Sequence, residues 1–373
     1  MVLICIFLFF VAVQVAYALY FFRRILSLPH TLALPAKDRR PVSVIICAKN
    51  EGGNLKQNLP VILEQRYSNE AGVSLYEVIV VNDASDDDTA HVLMGLEQYY
   101  GNLWDVIIPG DAVRDLKGKR YALREGVNAA SYDWLVFIDA DCVPLSDVWL
   151  EKMVAPLAGG KEIVAGYGGY HKEGGLLNAF IQWETMHTFL QYSTYILAGK
   201  PYMAVGRNMA CTRQAFRTAV ASPTWNALQS GDDDLLVSIA GNRDNVAVVC
   251  DELAFTITKS KATWGEWVRQ KQRHLSTGKY YKTGIKGLLG LYGASHAGLW
   301  LAFFAMLFSH HPAFVISVML IRCVIYWGLW AAAAHKLRGK SLIFLFPFFD
   351  IAWMVYNFAL LPYITWKDKK NWK

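Results

Sequence analysis

The chain has 373 residues, 54% of them hydrophobic and 14% aromatic, and a formal charge of +6. So apolar a composition excludes an ordinary soluble domain of this size. Its cysteines (Cys5, Cys47, Cys142, Cys211, Cys250 and Cys323) are scattered with no CxxC pair, which argues against a disulfide frame or a zinc site and for reduced, buried thiols.

Val2–Phe22 is uncharged and, as a helix, about 30 Å long, which matches a bilayer core. It lacks the basic start and small-residue cleavage site of a secretion signal, so residues 1–24 read as a retained anchor. Arg23, Arg24, Lys37, Arg39 and Arg40 follow within a linker, residues 25–40, that contains Pro29 and Pro35. By the positive-inside rule the downstream domain lies in the cytosol, on the inner membrane if the source is bacterial.

Residues 41–258 read as one α/β domain. Val42–Cys47, Val78–Val81, Trp104–Pro109 and Leu135–Ile138 are apolar runs suited to buried strands. Helical stretches follow them from Leu55, over Thr89–Tyr99 and over Tyr121–Ala130. Apolar strands alternating with helices imply a doubly wound sheet, and ligands of such sheets bind beyond the strands' carboxyl ends. Glu51, Asp83, Asp139 and Asp141 all fall at that edge.

Asp139-Ala140-Asp141 ends the last of these strands. In an extended chain residues i and i+2 point to one side, so the two carboxylates can converge on a hard divalent cation such as Mg²⁺ or Mn²⁺. The alternative is a solvated turn. Lys117-Gly-Lys-Arg120, in the loop before Tyr121, opposes a helix dipole but suits a diphosphate, with Lys119 and Arg120 as the neutralising charges.

Ile163–Gly169 resembles a further, glycine-interrupted strand. Leu176–Leu197 is aromatic and mostly uncharged, and an interfacial amphipathic helix is preferred to a buried core helix. Gly206–Ala210 is a loop, and Asp232-Asp233-Asp234 precede an apolar helix. Those carboxylates suit either a helix start or a general base, since crowding raises a carboxyl pKa. Residues 259–290 are basic and aromatic, as interfacial helices are, and residues 291–373 hold three apolar runs and a basic tail. Arg322 and Asp350 lie inside the last two runs and are expected to face the bundle or the interface. Three full spans would put Lys367–Lys373 outside, so one run is expected to be re-entrant or interfacial.

These motifs together resemble the membrane-anchored family 2 glycosyltransferases. Val42–Glu51 is similar to the family's "xPAxNE" element and Val81–Thr89 to "VDDGSTDGT", with Asn82 and Ala84 departing from it. Gly118-Lys119 with Ala122-Leu123 resembles "GKxxAL", Asp139–Asp141 the DxD, Gly206–Ala210 "GxxxA", and Asp232-Asp233-x-x-Leu236 "EDxxL". Gln270–His274 is similar to "QxxRW", with His274 in place of the tryptophan. Each element is loose alone; their order along residues 42–274 is specific.

The resemblance implies a GT-A fold and a metal-dependent, inverting transfer from a nucleotide-diphosphate sugar, with a UDP-sugar expected. Glu51 and Asp83 would contact the nucleoside, and Lys119 and Asp139 the nucleotide end or diphosphate. Asp141 with Asp139 would hold Mn²⁺ or Mg²⁺. Asp233, beside Asp232, would take the acceptor's proton, while Gln270 and Arg273 close over the donor. Gly206, Asn208 and His274 would face the acceptor, the last without the flat indole. The expected acceptor is a membrane lipid and no nucleic-acid partner is expected. The alternative is a polysaccharide synthase that also exports its chain, for which the hydrophobic segments look too few to enclose a pore.

Overall fold

The structure, a computed structural model, describes residues 1–28, 33–116, 118–227, 231–308 and 311–364. Pro29, Lys117 and the basic tail Lys367–Lys373, all named above, lie outside the described residues. The chain divides into two compact units. Residues 33–171 and 201–260 form one, which holds the strands, and residues 1–28, 172–200 and 261–364 form the other. The helix Leu176–Leu197 therefore belongs with the apolar terminal segments and not, as the sequence suggested, within a continuous domain 41–258.

The strand-bearing unit contains β1 (Val42–Ala48), β2 (Tyr76–Asp83), β3 (Leu103–Ile108), β4 (Trp134–Phe137), β5 (Cys142–Pro144), β6 (Ile163–Ala165), β7 (Gly168–Tyr170), β8 (Met209–Thr212), β9 (Val246–Val248) and β10 (Thr256–Thr258). A seven-stranded sheet runs β3-β2-β1-β4-β8-β6-β9, and a small sheet runs β5-β10-β7. The β3-β2-β1-β4 half is parallel throughout. Every residue of β1 and β2 is buried, which is why both read as continuous apolar runs.

Alternate residues of β1, Val42, Val44 and Ile46, share one core with Leu55, Leu59 and Ile62 of the helix Gly52–Leu63. Against the other face lies the helix Lys119–Ala129. A Cβ on Gly126 would sit 2.8 Å from both Ile45 and Val81, so glycine lets this helix approach the sheet closely. That contact carries its first residue, Lys119, to the sheet's carboxyl edge.

The sheet departs from a purely doubly wound one at β8, which inserts antiparallel between β4 and β6. Phe137, the end of β4, pairs with Met209, the start of β8. Antiparallel pairing thus sets the residues before β8 beside those after β4. The expected glycine-interrupted strand Ile163–Gly169 is two strands, β6 and β7, in different sheets.

Among the described residues, the helical unit contains four helices long and apolar enough to cross a membrane: Val2–Ser27, Thr283–Met306, Pro312–Lys336 and Lys340–Ala359. All three C-terminal runs qualify by length and composition, so none is marked as too short to span. Leu176–Leu197 is buried around most of its circumference, including Trp183, Glu184 and His187, which fits a core helix and not an amphipathic one. The ionisable residues of the spans meet one another. Arg322 pairs with Asp350, which also accepts from Trp300 Nε1 at 3.1 Å and lies 3.1 Å from His296 Nε2. Gln14 of the N-terminal helix donates to Ser295 Oγ at 2.9 Å and accepts from Arg322 Nη2 at 3.1 Å.

Candidate active site

Two loops at the carboxyl edge are laced together. Asn50 N donates to Ser85 Oγ at 2.9 Å, Glu51 N to Thr89 Oγ1 at 3.0 Å, and Gly52 N to Asp87 Oδ2 at 3.0 Å. In return, Asp86 N donates to Asn50 Oδ1 at 2.9 Å. Polar loops after β1 and β2 are therefore one rigid rim. Glu51 is held in it by Asn54 Nδ2 at 2.6 Å. Asp83 is fully buried at the end of β2 and pairs with Arg114 at 2.6 Å. Arg114 was not among the residues expected from sequence, because no motif covers the segment between β3 and Lys119. An arginine facing a buried carboxylate is the only signal, and it needs the fold.

Asp139 and Asp141 do converge, although by a different route. β4 ends at Phe137 and the carboxylates sit in a turn, closed by Cys142 N donating to the Asp139 carbonyl at 2.9 Å, not on an extended segment. One ligand atom each from Asp139, Asp141 and Cys142 lie within 4.8 Å of one another. Two carboxylate oxygens suit a hard cation. The Cys142 thiol is held well above its ordinary pKa by burial and then by Asp141 and Asp139, so it stays protonated and is a poor ligand. The oxygen donors present fit Mn²⁺ or Mg²⁺.

Lys119 is the first residue of its helix, behind Gly118, and not a loop residue. Its ammonium pairs with Asp139. Burial pulls its pKa down, but Asp139 and Asp232 more than offset this and hold it well above the usual value. Arg120, expected to share the diphosphate, is buried instead and donates to the Trp225 carbonyl. Successive helix residues point in different directions, so only one of the two can reach the edge.

Asp232 and Asp233 open the helix Asp232–Ala240 behind Gly231, so the helix-start and base readings are compatible. Asp233 Oδ2 accepts from Gly206 N at 2.7 Å and its Oδ1 from Asp234 N at 2.9 Å. Its pKa is pushed up to about 6 by burial first and then by the charge of Asp232, against those two hydrogen bonds and Lys119. A small cavity brings Lys119, Gly206, Asp232 and Asp233 together over Ile45, Cys47, Phe137, Ile138 and Met209.

Asn208 is not available to an acceptor. It is fully buried: Nδ2 donates to the carbonyls of Tyr167 and Ala254, both at 2.8 Å, and Oδ1 accepts from Trp149 Nε1 at 2.9 Å. Every polar atom of its amide is used to fasten the loop. Gln270, Arg273 and His274 are carried by the helical unit, on one face of the helix Trp264–Leu275. Thr263 and Glu266 form a capping box at its start, and Lys271 anchors it to Glu184.

The family model described as glycosyl transferase family 2 matches residues 43–219. Glycosyltransferase AglE of Haloferax volcanii is 33% identical over 126 residues, 34% of this chain and 38% of that protein. The poly-β-1,6-N-acetyl-D-glucosamine synthase of Staphylococcus aureus is 26% identical over 102 residues, 27% of this chain and 22% of that protein. The matches thus span well under half of these curated relatives. Mannosyltransferase PcManGT of Pyrobaculum calidifontis, solved with GDP-Man and Mn²⁺, shares the fold with a TM-score of 0.58 over 95% of this chain and 98% of that one, at 17% identity. Residues 43–219 thus match a glycosyl transferase family 2 domain, on the fold that the chain shares with that mannosyltransferase.

Proposed function

We propose that this enzyme moves a sugar from a nucleotide-diphosphate sugar, a UDP-sugar, to a lipid acceptor at the cytosolic membrane face, with inversion. The observation that carries the reading is Asp233: a carboxyl with a pKa near 6, held by two backbone N–H groups in a cavity that also contains Lys119. Near neutrality such a group is ionised yet basic enough to accept a hydroxyl proton. As the acceptor oxygen bonds to the anomeric carbon, the bond to the diphosphate breaks and Asp233 keeps the proton. Asp139 and Asp141 would hold a divalent cation, whose contribution when bound is to neutralise the diphosphate. Lys119 adds a second positive charge at the same edge, and Glu51 and Asp83 are the nucleoside contacts. Gln270 and Arg273 are assigned to the donor.

The reading is tested by incubating the full-length protein with membrane lipid extract and a panel of UDP- and GDP-sugars, followed by mass spectrometry. One lipid heavier by a single sugar is expected, formed with Mn²⁺ or Mg²⁺ and absent in excess chelator. Full activity in chelator would refute the metal assignment, and a polymer ladder would favour a synthase. The cytosolic placement rests on Arg23, Arg24, Lys37, Arg39 and Arg40. Sealed inside-out vesicles should consume added nucleotide sugar without detergent; activity that appears only after lysis would reverse the topology.

A further inference from the structure

Between Gly206, which grips the base, and Asn208, which is wholly engaged, stands Arg207. Its backbone is fixed, because Thr256 Oγ1 donates to its carbonyl at 3.0 Å. The guanidinium lies over Tyr170, with Cζ 4.7 Å from the ring centroid. Its Nε is buried and has no hydrogen-bond partner. Among the described residues no carboxylate lies within ion-pair distance of it; its side chain hydrogen-bonds Tyr170 and lies near the neutral Cys142 and Tyr167.

A half-buried guanidinium whose Nε is shut off from water and that has no anion beside it is costly, and proteins seldom leave one so. The surroundings are nonetheless shaped for this side chain. A Cβ on Gly168 would lie 2.5 Å from Arg207 Nε and 2.7 Å from its Cγ, so β7 carries glycine where the arginine passes. Its three neighbours in the loop and small sheet are thus committed to placing one charged group. Cys142, which lies near that guanidinium, follows Asp141 directly. Arginine presents a planar fork of donors that matches phosphate oxygens.

We infer that Arg207 binds a phosphate on the acceptor, next to the hydroxyl that Asp233 deprotonates; this rests on the glycosyl-transfer reading above. The donor's diphosphate is served by Lys119 and the Asp139/Asp141 pair, whereas Arg207 adjoins the residue bonded to the base. The substrate class is an anionic, phosphate-bearing acceptor, supplied by a lipid head group or by a soluble phosphate ester. Neutral lipids such as diacylglycerol lack the matching group.

The test uses the full chain in detergent, as wild type, Arg207→Gln and Arg207→Lys, with three measurements. Calorimetry follows binding of inorganic phosphate with the nucleoside diphosphate and Mg²⁺ already saturating, which requires no turnover. Affinity should fall about 10- to 100-fold in Arg207→Gln and be partly restored in Arg207→Lys, as expected for loss of a charge-assisted contact. Acceptor KM, with phosphatidylglycerol vesicles, glycerol 3-phosphate and diacylglycerol vesicles as separate arms, should rise in Arg207→Gln by a similar factor while kcat changes less. The first two arms distinguish the lipid from the soluble source, and the third should show no use. Nucleotide Kd should be unaltered. A lowered nucleotide affinity with unchanged phosphate binding would overturn the proposal in favour of a donor contact. Equal phosphate binding in all three proteins, with only Tm reduced, would reduce Arg207 to packing on Tyr170. If Asp233→Asn abolishes transfer while phosphate binding ignores Arg207, this inference fails and the glycosyl-transfer reading stands. If phosphate binding depends on Arg207 but no nucleotide sugar is consumed, the reverse holds.

Discussion

Each unit of this protein draws a carboxylate out of open solvent, Asp350 fully and Asp233 in part, and the two are treated in opposite ways. Asp350, in the helical unit, is surrounded by Arg322, His296 and Trp300, so its charge is matched and its lone pairs are taken. Asp233, in the strand-bearing unit, has two backbone donors but a like charge beside it, and its pKa rises to about 6. A matched buried charge fixes helices in place and is chemically silent. A partly matched one is available to take up a proton. The difference teaches that burial alone does not mark a catalytic group; the neighbours decide.

The largest expected effect would break the comparison on the catalytic side. Asp233→Asn should lower kcat about 10²- to 10⁴-fold, the usual worth of a positioned base, with little change in nucleotide affinity. Normal transfer by this variant together with a dead Asp232→Asn would move the base by one residue. The same carboxyl sets a pH signature. Activity should drop below about pH 6 as Asp233 protonates. Stability should move the other way: a carboxyl whose folded pKa is raised binds protons more tightly when folded, so its contribution is lost as pH rises through about 6. A pH–rate profile set beside thermal melts at each pH reads both.

Next in size, on the silent side, Arg322→Leu should destabilise the helical unit by about 3–5 kcal/mol, because Asp350 is left buried without its cation. Replacing both, Arg322→Met with Asp350→Leu, should recover most of that loss in thermal unfolding in detergent. If the double variant is no better than the single one, the pair is not a matched charge and the contrast with Asp233 collapses.

A smaller effect sharpens the boundary between fastening and chemistry in the loop before β8. Asn208→Ala should cost about 1–3 kcal/mol in stability, from buried groups left unpaired, while the pH at which activity is half-lost stays the same. A shifted pH midpoint would show that Asn208 tunes the base as well as holding the loop. The smallest change is a control: Gly95→Ala, in the helix Thr89–Glu97 with nothing near its Cβ, should stabilise by about 0.5–1 kcal/mol and leave the activity untouched.

What the sequence determined by itself is whatever depends on local order: buried strands over Val42–Cys47 and Val78–Val81, which the structure extends to Val42–Ala48 and Tyr76–Asp83, apolar spans, and acidic residues at strand ends. Periodicity and run length report these directly, since neighbouring residues must satisfy one backbone geometry. The tertiary structure alone decided which side chains meet. It turned Arg120 to the Trp225 carbonyl while leaving Lys119 on Asp139, consumed Asn208 in fastening the loop, and set Arg114 on Asp83. It also brought Gln14 to Arg322 across the chain and moved Leu176–Leu197 into the helical unit. Such pairings join residues far apart in sequence, and the energy that selects them, the cost of a buried charge or amide without a partner, has no local trace.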